Sequence, residues 1–349
     1  MFLNEEQKKI VFAKENKIIV EACPACGKTA VLIERIRFLV DSGIDPSQIV
    51  AITFTNTAAN EMKERLGEKS KGIFIGTIHS YINFLLFTRD VNTIELLKQD
   101  RFDELFDLIE EHHECLRPVE HLLLDEAQDS TPQQFHIILD LINPKNFFFV
   151  GDPRQAIFVW ANADPKFFMD LEKRSDVTTY YLTQNYRNAR SILDYARSLI
   201  LLAGNSYRDR SIAMRREEGQ VISTKTSPVN ICKTLLKYGD FKEWFVLCRT
   251  NQELNTMMKE FELRDVPYSV IKRADLSKED MIRVMNEDTV KLMTIHAAKG
   301  LESKKVIVIG AKFYNIEEIC ISYVAATRAK DLLVWVKSIK KRKTVESWE

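Results

Sequence analysis

The chain has 349 residues, enough for two domains with their own cores, and its 50 basic side chains balance 50 acidic ones. Apolar residues make up 45% and charged residues 29%, with only 11 glycines and 9 prolines, so neither a long flexible linker nor a disordered chain is expected. The longest apolar run is six residues, Ala156 to Ala161; a membrane span needs about 20, and a net charge of zero gives no global positive field to announce a nucleic acid.

In chain order, the opening Met1-Phe2-Leu3-Asn4-Glu5-Glu6 has no basic-then-apolar leader, which points to a cytoplasmic, intracellular protein. Short β-branched and apolar runs then alternate with amphipathic stretches. Strands are expected over residues 17–21, 49–53, 73–77, 121–124 and 147–150, then over 220–224, 244–248, 268–271, 290–294, 306–309 and 332–336. Helices are expected between them, including 28–42, 57–65, 132–142 and 188–202, while 84–117 reads as helices without a clear strand. Alternation of this kind predicts an α/β fold with mostly parallel sheets. A domain boundary is expected near 182/183. The dense basic run 337–343 reads as a solvated stretch.

The first strand leads into Ala22-Cys23-Pro24-Ala25-Cys26-Gly27-Lys28-Thr29-Ala30. Small residues followed by Gly-Lys-Thr at a helix start form a phosphate loop, because backbone N–H groups can close around phosphate oxygens there. Lys28 is expected to reach the β and γ phosphates, and the Thr29 hydroxyl to ligate Mg²⁺. Six cysteines include one Cys-x-x-Cys pair, Cys23 and Cys26. Without a second pair a structural zinc site is not expected. Inside the phosphate loop the two thiols read either as tolerated small residues or as an oxidisable pair.

Leu122-Leu123-Leu124-Asp125-Glu126 is an apolar strand that ends in paired acids. Asp125 is placed to hold the metal and Glu126 to take a proton from the attacking water. With the phosphate loop, this predicts hydrolysis of a nucleoside triphosphate with Mg²⁺ as cofactor rather than binding alone.

Further motifs, from residue 3 to about 335, resemble those of the UvrD/Rep-like superfamily 1A DNA helicases. Leu3-Asn4-Glu5-Glu6-Gln7 is similar to the adenine-reading Q motif, which implies that Gln7 meets the base. Phe54, Thr55 and Asn56 in Thr53–Met62, and Thr77 and His79 in Gly76–Ser80, match single-strand contacts of the family. Gly151-Asp152-Pro153-Arg154-Gln155 resembles motif III, which implies that Gln155 senses the γ-phosphate and that Trp160 stacks on a base. Gln184-Asn185-Tyr186-Arg187 resembles motif IV, with Tyr186 on adenine and Arg187 at the γ-phosphate. His296 and Glu302 fall in a motif V-like stretch, one toward DNA and the other toward the nucleotide sugar. Arg328 in Tyr323–Lys330 matches the second arginine finger.

The resemblance implies two RecA-like domains, residues 1–182 and 183–349, with the arginines of the second completing the site of the first as a cleft closes. It also implies a compact form: the first inserted subdomain is reduced to about 81–120, and only 272–288 stands where the second belongs. Motif III departs from the family, since Pro153-Arg154 replace an acidic pair, a change expected to bear on DNA grip. The leading expectation is an ATP-dependent single-stranded DNA translocase and 3′→5′ helicase, acting on a single strand or a tailed duplex as a monomer or complex subunit. The alternative is a non-unwinding, DNA-stimulated ATPase that serves as an accessory switch or remodelling factor among replication, repair or recombination proteins.

Overall fold

In the computed structural model the described residues are 3–89, 91–99, 101–272 and 278–337. The chain forms two compact units, Met1–Gln184 with Arg210–Ile212, and Asn185–Asp209 with Ala213–Glu349.

The first unit is built on six strands: β1 (Lys17–Ala22), β2 (Ile49–Ile52), β3 (Phe74–Gly76), β4 (His121–Leu124), β5 (Asn146–Gly151) and β6 (Thr178–Leu182). They pair in the order β3-β2-β4-β5-β1-β6, and every pairing is parallel. The helices are α1 (Glu5–Val11), α2 (Lys28–Asp41), α3 (Asn56–Leu66), α4 (Ile78–Phe87), α5 (Ile94–Lys98), α6 (Phe102–Glu111), α7 (Pro132–His136) and α8 (Pro165–Leu171). Because side chains alternate along a strand, Ile18 and Val20 join one core with Val31, Leu32, Ile36 and Met62. Ile19, Val50, Leu122 and Phe149 face the opposite way, onto Ile82, Phe106 and Phe168. Both faces are covered, which is why these strands read as nearly continuous apolar runs.

The parallel direction brings all six strand ends to one edge. There the phosphate loop follows β1, Phe54 follows β2, Thr77 follows β3, Asp125 follows β4 and Asp152 to Gln155 follow β5. This is the edge where ligands settle in open parallel sheets. The stretch 81–120 supplies most of α4, all of α5 and α6, and a short 3₁₀ turn at His113–Cys115.

Two-residue strands, β7 (Gln184–Asn185) and β8 (Ile212–Ala213), mark where the chain passes between units. The second unit has its own six-stranded sheet of β9 (Gln220–Thr224), β10 (Trp244–Cys248), β11 (Tyr268–Val270), β12 (Val290–Thr294), β13 (Ser303–Ile309) and β14 (Ala329–Val336). The order is β11-β12-β10-β13-β14-β9, again with parallel pairings. Its helices are α9 (Arg190–Ile200), α10 (Pro228–Tyr238), α11 (Asn251–Glu262), α12 (Lys278–Asn286) and α13 (Ile316–Ala326). Trp244, Val246, Leu254, Phe261 and Ile307 share a core.

Two differences from the sequence expectation are plain. Strand β6 is not among the expected strands; its Thr-Thr-Tyr-Tyr-Leu is half-buried at a sheet edge and lacks a strong apolar signal. The single helix expected over 132–142 is α7 followed by a π-helical stretch, Ile137–Ile142. Of the basic run 337–343 only Lys337 lies among the described residues, and of 272–288 the positions 273–277 lie outside them.

Candidate nucleotide site and nucleic-acid surface

The phosphate loop is braced from outside itself. Asn4 caps α1 by accepting from the Gln7 backbone N–H at 2.7 Å, and Gln7 Oε1 accepts from the Asn4 N–H at 3.0 Å. The remaining polar end of Gln7 donates from Nε2 to the Cys26 carbonyl at 2.9 Å. Gly27 has φ +86°, a conformation that favours glycine, and a Cβ there would stand 2.7 Å from Gln7 Nε2 and push that amide aside. Ala25 also has positive φ, 54°. Gln7 therefore shapes the loop directly. Ala22, Cys23, Pro24 and Cys26 are buried, Ala30 lies in the core side of α2, and Lys28 and Thr29 open the first turn of that helix.

Lys28 Nζ lies 3.2 Å from Glu126 Oε1. Burial alone would lower its pKa, but Glu126, then Asp152, Cys26 and Asp125, more than offset this and hold it above the ordinary lysine value. Glu126 has φ +50°, a left-handed conformation that costs a non-glycine residue about 1–2 kcal/mol. Such strain persists where the surroundings impose it. Here Gln128 Nε2 donates to Glu126 Oε2 at 2.6 Å, and Lys28 Nζ lies within 3.3 Å of both carboxylate oxygens. Asp125 is buried; desolvation and the neighbouring Glu126 charge push its pKa well above the usual carboxylate range, against the pull of Lys28. Gln155, also buried, donates from Nε2 to Asp152 Oδ2 at 2.6 Å.

Among the described residues no three His, Cys, Asp or Glu side chains gather as a protein-only metal site. A buried acid beside a second acid nonetheless fits Mg²⁺, which is held through one or two carboxylates, water and substrate phosphates. Asp125 and Thr29 are the groups that would hold it.

The same edge carries exposed aromatic surface. Phe54 is 46% exposed and stacks on Phe158 with ring centroids 5.1 Å apart. Trp160 is 69% exposed and meets Phe158 edge-on at 6.3 Å. Thr55 caps α3 by accepting from Ala58 N, Thr77 caps α4 by accepting from Ser80 N, and Asn56 is exposed. His79 lies against Phe102 and Phe106, 5.1 and 5.0 Å away, and burial holds its pKa down against the nearby Asp103 charge. One cavity has Phe54, Thr77, His79, Asp125, Glu126 and Gln134 in its wall, so the acids and Phe54 share it.

In the second unit Glu302 immediately precedes β13 and Arg328 immediately precedes β14, so both lie at the edge where the parallel strands begin. Arg187 Nε donates to Glu302 Oε2 at 2.5 Å and its Nη1 to the Thr327 carbonyl at 3.2 Å. Burial raises the Glu302 pKa, but Arg187 and Lys330 bring it below the ordinary value. Arg328 is 1% exposed and donates to the carbonyls of Val324 and Leu301 and to Thr327 Oγ1. Tyr186 is 46% exposed. His296 stands apart from this group, two residues past the end of β12.

Comparison with known proteins decides the family. The UvrD/REP helicase N-terminal domain matches residues 3–114 and 91–176, and the UvrD-like helicase C-terminal domain matches 269–340. The chain belongs to the UvrD-like helicase family. A probable DNA helicase of Mycoplasma pneumoniae is 26% identical over 454 aligned positions, covering 96% of this chain and 83% of that one. The alignment is longer than this 349-residue chain, so the relative holds insertions that are missing here. The Gabija protein GajB of Bacillus cereus is 23% identical, with 93% of each chain covered. The ATP-dependent DNA helicase PcrA of Staphylococcus epidermidis is 24% identical over 77% of this chain, which spans about half (51%) of PcrA. This UvrD-like chain is thus compact beside PcrA. No helix among the described residues is long and apolar enough to cross a membrane.

Three residues of this UvrD-like site were not assigned roles by the sequence motifs. Gln128 links Glu126 to the end of β5, accepting from the Asp152 N–H at 2.8 Å. Asp152 gathers Gln155, and Phe158 supplies the face on which Phe54 stacks. Asp152 stands inside the quoted Gly151–Gln155 motif and Gln128 two residues past the paired acids, but their spacing does not reveal which partner each meets.

The raised Asp125 pKa has a testable consequence. A carboxyl whose folded pKa exceeds its unfolded value loses stability as pH rises through that interval, so at pH 8 the ionised form opposes folding. Asp125→Asn is expected to stabilise the metal-free protein at pH 8 by about 1–3 kcal/mol, since each tenfold shift in a proton equilibrium is worth about 1.4 kcal/mol. It is also expected to remove Mg²⁺-dependent hydrolysis. Urea unfolding in EDTA checks the first effect; unchanged or lower stability would contradict the electrostatic account.

Proposed function

We propose that this UvrD-like chain hydrolyses ATP in its first unit and uses the cycle to move along single-stranded DNA in the 3′→5′ direction. The observation that carries the reading is the shared cavity: Asp125 and Glu126 line the same walls as Phe54, Thr77 and His79. In this reading, the residues that turn over ATP and those that hold the strand border one space, so hydrolysis and grip are coupled through it.

In this reading the phosphate-loop N–H groups and Lys28 hold the β and γ phosphates. Glu126, restrained by Lys28 and Gln128, takes the proton of the attacking water. When bound at Thr29 and Asp125, Mg²⁺ supplies charge to the phosphate oxygens. Gln155 reports the γ-phosphate, Arg187 and Arg328 supply positive charge during turnover, and Tyr186 and Gln7 meet the adenine. Phe54 and Trp160 stack on bases, which grips a strand without sequence preference. Asn56 and His296 are further strand contacts.

The stretch 81–120, with its short helices α5 and α6, offers little to grip a duplex, so translocation and unwinding separate experimentally. The test places streptavidin on either end of a biotinylated single strand and follows its displacement with ATP, beside a tailed duplex. Displacement from the 5′ end is expected. Release of streptavidin without duplex unwinding identifies a translocase that strips proteins. ATP turnover with no displacement from either end contradicts movement and supports the accessory-switch alternative.

A further inference from the structure

Arg154 stands where the motif III resemblance leads one to expect an acid, and the structure places it away from any strand. It is 2% exposed, so it has no surface to offer a nucleic acid. Its guanidinium donates from Nε to Asp152 Oδ1 at 2.6 Å, from Nη1 to Glu21 Oε1 at 2.9 Å and from Nη2 to the Ala22 carbonyl at 2.7 Å. Ala22 is the first residue of the phosphate loop. Asp152, fully buried, accepts from Gln155 with its other oxygen and donates its N–H to Gln128, which in turn holds Glu126.

One rigid fork therefore joins two chains of hydrogen bonds. One runs into the phosphate loop, and the other runs to the γ-phosphate sensor and the general base. We propose that Arg154 is a positioning residue for phosphoryl transfer: it fixes Gln155 and Glu126 relative to the phosphate loop. The proposal rests on the nucleotide-site reading above. It follows from the shape of the group as well as its charge. A planar guanidinium can satisfy three acceptors in three directions at once, whereas a lysine ammonium on a flexible stem cannot keep all three in place. Glu21 is the counter-charge on the strand side, and its second oxygen lies 3.7 Å from Arg210 Nη1.

The test compares Arg154→Lys, Arg154→Met and Lys28→Ala with the unaltered chain. It reads kcat and KM for ATP with a single strand present, the affinity for a fluorescent ADP, and the melting temperature. Misplacing catalytic groups by about 1 Å costs up to about 100-fold, so kcat is expected to fall about 10- to 100-fold in Arg154→Met, with KM and ADP affinity within about 3-fold. Arg154→Lys is expected to melt like the parent and still lose part of kcat; it decides the matter where Arg154→Met does not fold. Parental kcat in a folded Arg154→Lys overturns the proposal. So does a parallel fall in kcat, ADP affinity and melting temperature, which marks a purely structural ion pair. Lys28→Ala separates the two layers: if it still hydrolyses ATP, the nucleotide-site reading fails, whereas a dead Lys28→Ala beside normal Arg154 variants removes only the brace.

Discussion

Lys28→Ala is expected to reduce ATP hydrolysis to background while the protein stays folded. Removing one preorganised donor from a phosphoryl- or acyl-transfer site typically costs about 10²–10³ in kcat, or about 3–4 kcal/mol. The loss here should be at the upper end or beyond, because Lys28 serves twice. It is the cation of the phosphate loop, and at 3.2 Å it also restrains Glu126. Burial pulls the Lys28 pKa down, and the acids around it, Glu126 foremost, more than offset this and favour the charged form.

Glu126→Gln separates the two tasks. It retains the shape and the Lys28 contact but cannot accept a proton, so hydrolysis should fall about 10²–10⁴-fold. ATP affinity should hold or tighten, because a negative charge has left the neighbourhood of the phosphates. Steady-state ATPase together with binding of a non-hydrolysable ATP analogue checks both. Normal turnover in either variant would overturn the assignment of the site.

Trp160→Ala carries the second large effect, on DNA rather than ATP. An indole 69% exposed on a 3₁₀ turn adds little to the core, so its removal should leave the melting temperature nearly unchanged. Losing one base stack is worth about 1–3 kcal/mol, which is about a 5- to 150-fold weaker single-strand Kd. The DNA-stimulated ATPase at limiting DNA should fall far more than the basal rate. Phe54→Ala should behave similarly but with some loss of stability, because its ring also stacks on Phe158. Fluorescence anisotropy with an oligothymidylate measures the Kd. An equal fall of basal and stimulated rates would show that Trp160 packs rather than binds.

The strongest features were legible because local chemistry dictated them. The phosphate loop announces itself through Gly27-Lys28-Thr29, and the structure shows Gly27 held at positive φ against Gln7. The strand endings at Ala22, Leu124 and Gly151 come from apolar runs that stop at small or acidic residues, and parallel pairing then gathers the succeeding loops at one edge. Strand order stayed hidden, because pairing between β1 and β5 depends on packing across more than a hundred residues. Gln7 illustrates another limit: the motif implies a base contact, while the structure shows most of its amide engaged in shaping the loop. Arg154 is the clearest case. A charged residue in a turn reads as surface, and only the three-dimensional meeting of β1 with the turn after β5 reveals that Glu21, Asp152 and the Ala22 carbonyl enclose it. Likewise His79 has the motif position of a strand contact, yet its ring lies against Phe102 and Phe106, contributed by the short helix α6.

The most direct test of coupling between the acids and the aromatic surface is the ATPase rate with and without single-stranded DNA, with Lys28→Ala as the blank. A low basal rate is expected to rise at least about 10-fold with a single strand, since full catalysis requires the positioned site. Hydrolysis that is robust yet indifferent to DNA would contradict that coupling.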